Sequence, residues 1–266
     1  MNITFDSNVW EKLVLAKGKT EENNKYANLR SLVEEEKIQP YICEIAISLE
    51  SIMKKDRANF WNKYEPKIEH ETIGGTKNND GTTMIHNRTM FSPDNEKHPG
   101  LHPKLINNLE LANELGFKVL RMTNFGTVRS TQIPKEMYID FQDIDDFWKY
   151  AEKLSNCANY IAEIKCGSYD YSQFKTDNNV NGMSVPKIIQ RISDSKKKVF
   201  AKSVAEWVDG DSIAAHYAYG NNIFCTEDRG KSAGSKSVFS ANNLSKIKER
   251  YKIEVLSINE VLAINL

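Results

Sequence analysis

The sequence predicts an α/β fold in three layers, α/β/α, around a mostly parallel central sheet. Two observations carry this. Short apolar runs such as Ile223-Phe224-Cys225 and Ile253-Glu254-Val255-Leu256 are too brief for buried helices and read as central strands. Between such runs lie amphipathic segments with helical spacing, and strands alternating with helices build parallel sheets. At 266 residues, with 40% hydrophobic and 27% charged residues, the chain can bury a large core.

The elements follow in order. Ile3-Thr4-Phe5 reads as a strand, closed by Asp6-Ser7-Asn8 before a helix beginning at Val9. A second helix is expected from Lys25 to Glu36, with Leu29, Leu32 and Val33 on one face. Ile38 to Cys43 is strand-like; Ile45, Ile47, Leu49, Ile52 and Met53 mark a helix carrying Glu50, and a further helical piece runs through Trp61 to Pro66. Residues 72–103, with Gly74-Gly75, Asn78-Asn79-Asp80-Gly81 and Pro99-Gly100, read as a long irregular segment. Leu105–Leu115 is a helix and Phe117–Met122 a strand. Ile144, Phe147, Trp148, Ala151, Leu154, Ala158 and Ile161 then fall at helical spacing, an aromatic-bearing stripe read as core. Residues 167–183 form a polar break, and a helix from Val185 runs toward Trp207. The chain closes with a helix at Asn243–Tyr251, the strand 253–256 and a helical turn at Ile258–Ala263. The expected organisation is a single domain, 1–266, with its core from about 1–66 and 184–266 and an insertion over about 67–183.

The stretch from Glu206 to Gly230 is the most informative. Asp211 and Ser212 are expected to cap a short helix that Gly220 ends. Asn221-Asn222 turns the chain into the strand 223–225. Thr226, Glu227 and Asp228 then stand at the strand's carboxyl end, where open α/β sheets place their ligands.

Composition excludes several classes. Lys plus Arg equals Asp plus Glu, 36 each, so any attraction to nucleic acid must be local. No apolar run approaches the roughly 20 residues that span a bilayer. The opening Met-Asn-Ile-Thr-Phe-Asp has neither a basic leader nor an apolar signal core, and Cys43, Cys157, Cys166 and Cys225 form no close CxxC pair. A reducing, cytoplasmic setting without structural zinc is expected.

Four acids share a pattern. Asp6 follows the first strand, Glu50 lies in the helix after the second, Asp211 opens a helix and Asp228 follows the next strand. Residues just past parallel strands and at helix starts share one sheet edge, so these acids are expected to converge. Clustered carboxylates repel and raise one another's pKa, and a hard divalent ion, Mg²⁺ or Mn²⁺, resolves that. Such an ion can polarise a phosphodiester and generate the attacking hydroxide. For each acid there is a bland alternative: Asp6 as a helix cap, Asp228 as a turn residue, Glu50 as a solvated helix acid. Glu44 and Asp209 are the rivals of Glu50 and Asp211.

Phe5-Asp6-Ser7-Asn8-Val9-Trp10 resembles the opening of PIN-domain nucleases. Ile45-Ala46-Ile47-Ser48-Leu49-Glu50 is similar to their second-acid helix. Asp211-Ser212-Ile213-Ala214-Ala215 is similar to their third-acid helix, and Phe224-Cys225-Thr226-Glu227-Asp228 to their strand-Thr-x-Asp. The resemblance covers about 1–60 and 200–266. It implies metal-dependent hydrolysis of single-stranded or structured nucleic acid, usually RNA, leaving a 5′-phosphate. It makes Asp6, Glu50, Asp211 and Asp228 metal ligands and gives Asn8 and Thr226 supporting roles. The bulk of 67–183 departs from the compact family pattern.

Between 229 and 252 seven cations, including Arg229, Lys231 and Lys236, face one acid, Glu249. This surface adjoins Asp228 and is the expected phosphate contact. RNA or other single-stranded nucleic acid is the expected partner. A non-catalytic RNA-binding scaffold, a toxin held by an antitoxin and a homodimer are the competing arrangements. Asn8 in place of a second Asp argues against a haloacid-dehalogenase-type phosphatase. The histidines carry no comparable pattern: Pro99-Gly100 breaks the His98–His102 spacing, and His216 reads as packing or a substrate contact.

Overall fold

The first strand, β1 (Asn2–Phe5), is the middle of the sheet, and everything else is arranged by which side of it the chain goes to. The computed structural model describes residues 1–16, 21–48, 67–78, 80–92, 101–122, 133–139, 141–183, 185–230 and 234–264. The helical piece expected through Trp61 to Pro66 lies outside them, as do Glu50 and Lys231. From β1 the chain passes to β2 (Gln39–Cys43) on one side. It continues outward through β5 (Lys118–Leu120), crosses back to β6 (Ile223–Cys225) on the other side of β1, and ends at β7 (Glu254–Leu256). The order is β5-β2-β1-β6-β7, and every neighbouring pair is parallel. The fold class expected from the alternation of elements is therefore present.

Strand alternation divides the core into two layers. Ile3, Phe5, Ile42, Val119, Ile223 and Cys225 face one side. There they pack with α1 (Ser7–Leu15), α2 (Glu21–Glu34), α4 (Pro103–Glu114) and α10 (Ile258–Leu262). Cys43, Leu120 and Phe224 face the other. Their partners are α5 (Ile144–Glu163), α6 (Ser168–Asp177), α7 (Val185–Arg191), α8 (Asp194–Tyr219) and α9 (Ala241–Tyr251). A short α3 (Glu44–Ser48) follows β2 directly. Among the described residues no helix is long and apolar enough to cross a membrane.

Up to residue 92, the expected irregular segment is instead a hairpin, and 93–100 lie outside the described residues. β3 (Lys67–Lys77) and β4 (Thr83–Ser92) pair antiparallel, with a register shift between Thr72 and Gly74. Its turn is held locally: Asp80 Oδ1 accepts from the backbone N and the hydroxyl of Thr82, at 2.9 and 2.6 Å. Gly74 thus stands at a bulge and Gly81 in the turn. Beyond the hairpin, β5 joins the main sheet and α5 and α6 pack on α8, so the second half of the 67–183 region belongs to the central fold.

The polar break at 167–183 holds α6, whose only buried residues are Tyr171 and Phe174, packed on Phe200 with ring centroids 5.8 and 5.2 Å away. Two apolar positions are too few to give a period in the sequence. The stripe on α5 splits likewise: Tyr150, Leu154, Cys157 and Ile161 are buried, whereas Ile144 and Trp148 are more than 60% exposed.

Candidate functional site

Asp6 sits where β1 becomes α1. Its backbone N donates to Cys225 O at 3.0 Å, tying the two strand ends together, and its Oδ1 caps α1 by accepting from Ser7 N at 2.7 Å. Because β2 and β6 leave β1 in opposite directions, their carboxyl ends open a crevice beside Asp6. This is the topological switch point of the sheet.

Across that crevice Thr226 and Asp228 follow β6. Thr226 is fully buried and its hydroxyl donates to Asp6 Oδ2 at 2.6 Å. A hydroxyl has one proton to give, so its other contacts are donors to it: Asn8 Nδ2 at 3.2 Å and Asp228 N at 3.0 Å. Asn8 uses its whole amide, donating from Nδ2 to Asp6 Oδ2 at 2.7 Å and accepting at Oδ1 from Glu227 N at 3.1 Å. Asp228 Oδ1 closes a turn by accepting from Gly230 N at 2.7 Å. Asp6, Asn8, Thr226 and Asp228 are therefore assembled in one network.

Electrostatics place a strain on the pair. Burial raises Asp6 above the ordinary carboxylate value. Bonds from Thr226 and Ser7 lower it again, and the charge of Asp228 pushes it up. Asp6 accepts four hydrogen bonds, from Ser7 N, the Ser7 hydroxyl at 3.4 Å, Asn8 and Thr226, whereas Asp228 Oδ2 has no donor among the described residues.

The third acid is a correction. Asp211 does not open a helix; α8 runs unbroken from Asp194 to Tyr219, and Asp211 lies deep inside it at 3% exposure. Gly210, which reads as a helix break, is a packing residue: a Cβ there would come within 2.8 Å of Gly167 Cα. Asp211 accepts from the Trp207 side chain, and its charge is felt by Tyr150 and Cys157 of α5. Asp209, on the opposite side of the helix, lines the same small cleft as Asp6, together with Ser7, Cys43, Val208 and Ser212. On the unbroken α8, positions 209, 212 and 216 share a face, and His216 Nδ1 stands 2.9 Å from Thr4 Oγ1 of β1. His216 is a packing residue, 1% exposed, with burial pushing it down to about 3.

Glu44, the rival of Glu50, is 1% exposed and turned toward aromatic side chains: Tyr138 Oη donates to its Oε1 at 3.2 Å, and its charge is felt by Tyr150 and Tyr219. Among the described residues no group of three or more His, Cys, Asp or Glu side chains gathers closely enough to enclose a metal ion. Mg²⁺ can bind through one or two carboxylates plus substrate phosphates while keeping several waters. Asp6 and Asp228 are the two acids this network brings together.

The basic surface is also changed. Arg229 pairs with Glu260 at 3.2 Å, Lys236 with Asp170 at 2.9 Å and Lys248 with Glu254 at 2.8 Å. Three of the seven cations are thus answered by acids from outside the 229–252 window. Glu227 is built into the loop after β6 by its backbone N–H and its carboxylate.

Comparison of the chain with protein-family models, with curated proteins and with solved structures finds no match.

Proposed function

We propose that the chain is a PIN-like, Mg²⁺- or Mn²⁺-dependent endonuclease acting on RNA. The observation that supports this reading is the joining of Asp6 and Asp228, from opposite ends of the sequence, through one Thr226 hydroxyl at the switch point of a parallel sheet. When bound there, the ion supplies Lewis-acid activation of a water and of the phosphodiester.

The chain's own residues do the rest. Thr226 and Asn8 hold Asp6 Oδ2 in one orientation, so the carboxylate does not have to reorganise as charge develops. Asp209 faces the same cleft from α8 and orients water from that side. Arg229, 43% exposed beside Asp228, contacts the phosphate backbone, at the cost of loosening its pair with Glu260. Glu50 completes the acid set in this reading, although it lies outside the described residues.

The test is cleavage of labelled RNA and single-stranded DNA in Mg²⁺ or Mn²⁺. Loss of a residue that merely supports a metal ligand costs about 10–100-fold, so Asp6→Asn and Asp228→Asn should each cost at least about 100-fold with the fold intact by circular dichroism. Asp209→Asn should impair cleavage, whereas Asp211→Asn should retain it. Cleavage that survives both Asp6→Asn and Asp228→Asn, or that resists EDTA, would falsify the reading.

A further inference from the structure

We infer that Glu227 is a positioning residue, a clamp that fixes Asp228 opposite Asp6 by tying the Thr226–Gly230 loop to α2 and α10. The inference rests on the reading of Asp6 and Asp228 as the reactive pair, but its geometry is independent of that reading.

Between Cys225 and Gly230 the chain leaves β6 and must present Asp228 without a further strand to hold it. Thr226 N is the last backbone group of this stretch bonded to the neighbouring strand, through Leu256 O at 3.0 Å. Beyond it the backbone N–H groups of Glu227, Asp228 and Gly230 are held by side chains. On its inner side Asn8 Oδ1 accepts from Glu227 N. On its outer side Glu227 Oε1 accepts from Ile258 N, at the start of α10, at 3.1 Å, and stands 3.5 Å from Lys25 Nζ of α2.

One residue thus joins three elements that are adjacent in space and distant in sequence. It is flanked by Thr226, which donates to Asp6, and by Asp228, whose N bonds Thr226. The polar contacts of Glu227 run to α10, α2 and Asn8, so its influence on chemistry is through the loop. A second-layer partner of this kind orients the groups in front of it, and removing it typically weakens metal binding or activity by about 10–100-fold.

The partial exposure of the Lys25–Glu227 pair makes the ion pair the weaker half of the clamp, and the backbone bond to Ile258 the stronger. Glu227→Gln keeps an acceptor for Ile258 N, Glu227→Ala removes it, and Lys25→Met removes only the cation.

Amide hydrogen exchange and Mn²⁺ binding by electron paramagnetic resonance, both on the full chain, test the clamp. In Glu227→Ala, exchange at the Asp228 and Gly230 amides should rise while β1 and β6 stay protected, and Mn²⁺ affinity should fall about tenfold or more. Glu227→Gln and Lys25→Met should each stay within about threefold of wild type. Unchanged exchange and affinity in Glu227→Ala overturn the inference. So does a rise in exchange spread evenly over the sheet, which would mark Glu227 as a general stabiliser. A wild-type chain that binds no Mn²⁺, yet shows the localised exchange change on substitution, overturns the metal reading and supports the clamp.

Discussion

Asp6 and Asp211 are both acids taken out of water, but they are compensated differently. Asp6 accepts from Ser7 N, Asn8 and Thr226, and its remaining cost comes partly from Asp228. Asp211 has the Trp207 side chain as donor and an Oδ2 with no partner among the described residues, and burial pushes it up from 3.8 to about 7. The native state therefore holds a proton that the unfolded chain has released. The stability Asp211 gives is full at acid pH and is lost as pH rises from about 4 to about 7. Asp211→Asn removes this charge but leaves a buried amide N–H without an acceptor, a cost of about 1–3 kcal/mol. The two effects together give an expected net gain of roughly 1–2 kcal/mol above pH 8, and no gain or a small loss at pH 5. Urea denaturation at the two pH values measures it. A substitution that destabilises equally at both would show that the native carboxylate stays ionised across the range.

At the scale of elements, α8 decides the site. Sequence patterning finds its carboxyl end correctly, where Gly220 adopts the left-handed cap at φ 72°. It misplaces the beginning, because Asp209-Gly210-Asp211 looks like a turn followed by a cap. The physical reason lies in another part of the chain: Gly167 and Gly210 meet backbone to backbone, so the glycine was selected by contact and not by backbone freedom. A side chain at Gly210 would gain about 1 kcal/mol of helix propensity. It would also drive a Cβ to 2.8 Å from Gly167 Cα and 3.3 Å from Ile161 Cγ2, and overpacking of that kind costs about 1–3 kcal/mol. Gly210→Ala should therefore destabilise by about 1–2 kcal/mol net in chemical denaturation. A stabilised Gly210→Ala would mean that the two helices can separate freely. The same limit explains α6. Periodicity reads elements that bury a full stripe, such as α5 with Tyr150, Leu154, Cys157 and Ile161, and is silent where only Tyr171 and Phe174 are buried.

For the whole molecule, the legible part of the site is the part that the sheet edge dictates. Asp6, Asn8, Thr226 and Asp228 could be placed together from strand ends alone, because parallel strands deliver their following residues to one edge. Asp209 and Glu227 could not, since their roles depend on helix packing and on α10, which the local sequence does not encode. The consequence is thermodynamic as well as catalytic. A crevice that gathers Asp6 and Asp228 across the full length of the chain exists only when β1 and β6 are paired, so a cation held there binds the native state and not the unfolded chain. At a cation concentration 100-fold above its dissociation constant, such linkage adds about 2.7 kcal/mol. In a chain of this size that raises the thermal midpoint by about 5–10 °C. Asp6→Asn should abolish the shift and lower metal-free stability by about 1–3 kcal/mol, because Asn keeps one acceptor oxygen where Asp6 uses two. Asp228→Asn should abolish it too, and Asp211→Asn should keep it. Calorimetry across a Mn²⁺ series reads all four proteins; a midpoint indifferent to Mn²⁺ in the wild type, or a shift that Asp6→Asn retains, would show that the pair holds no cation.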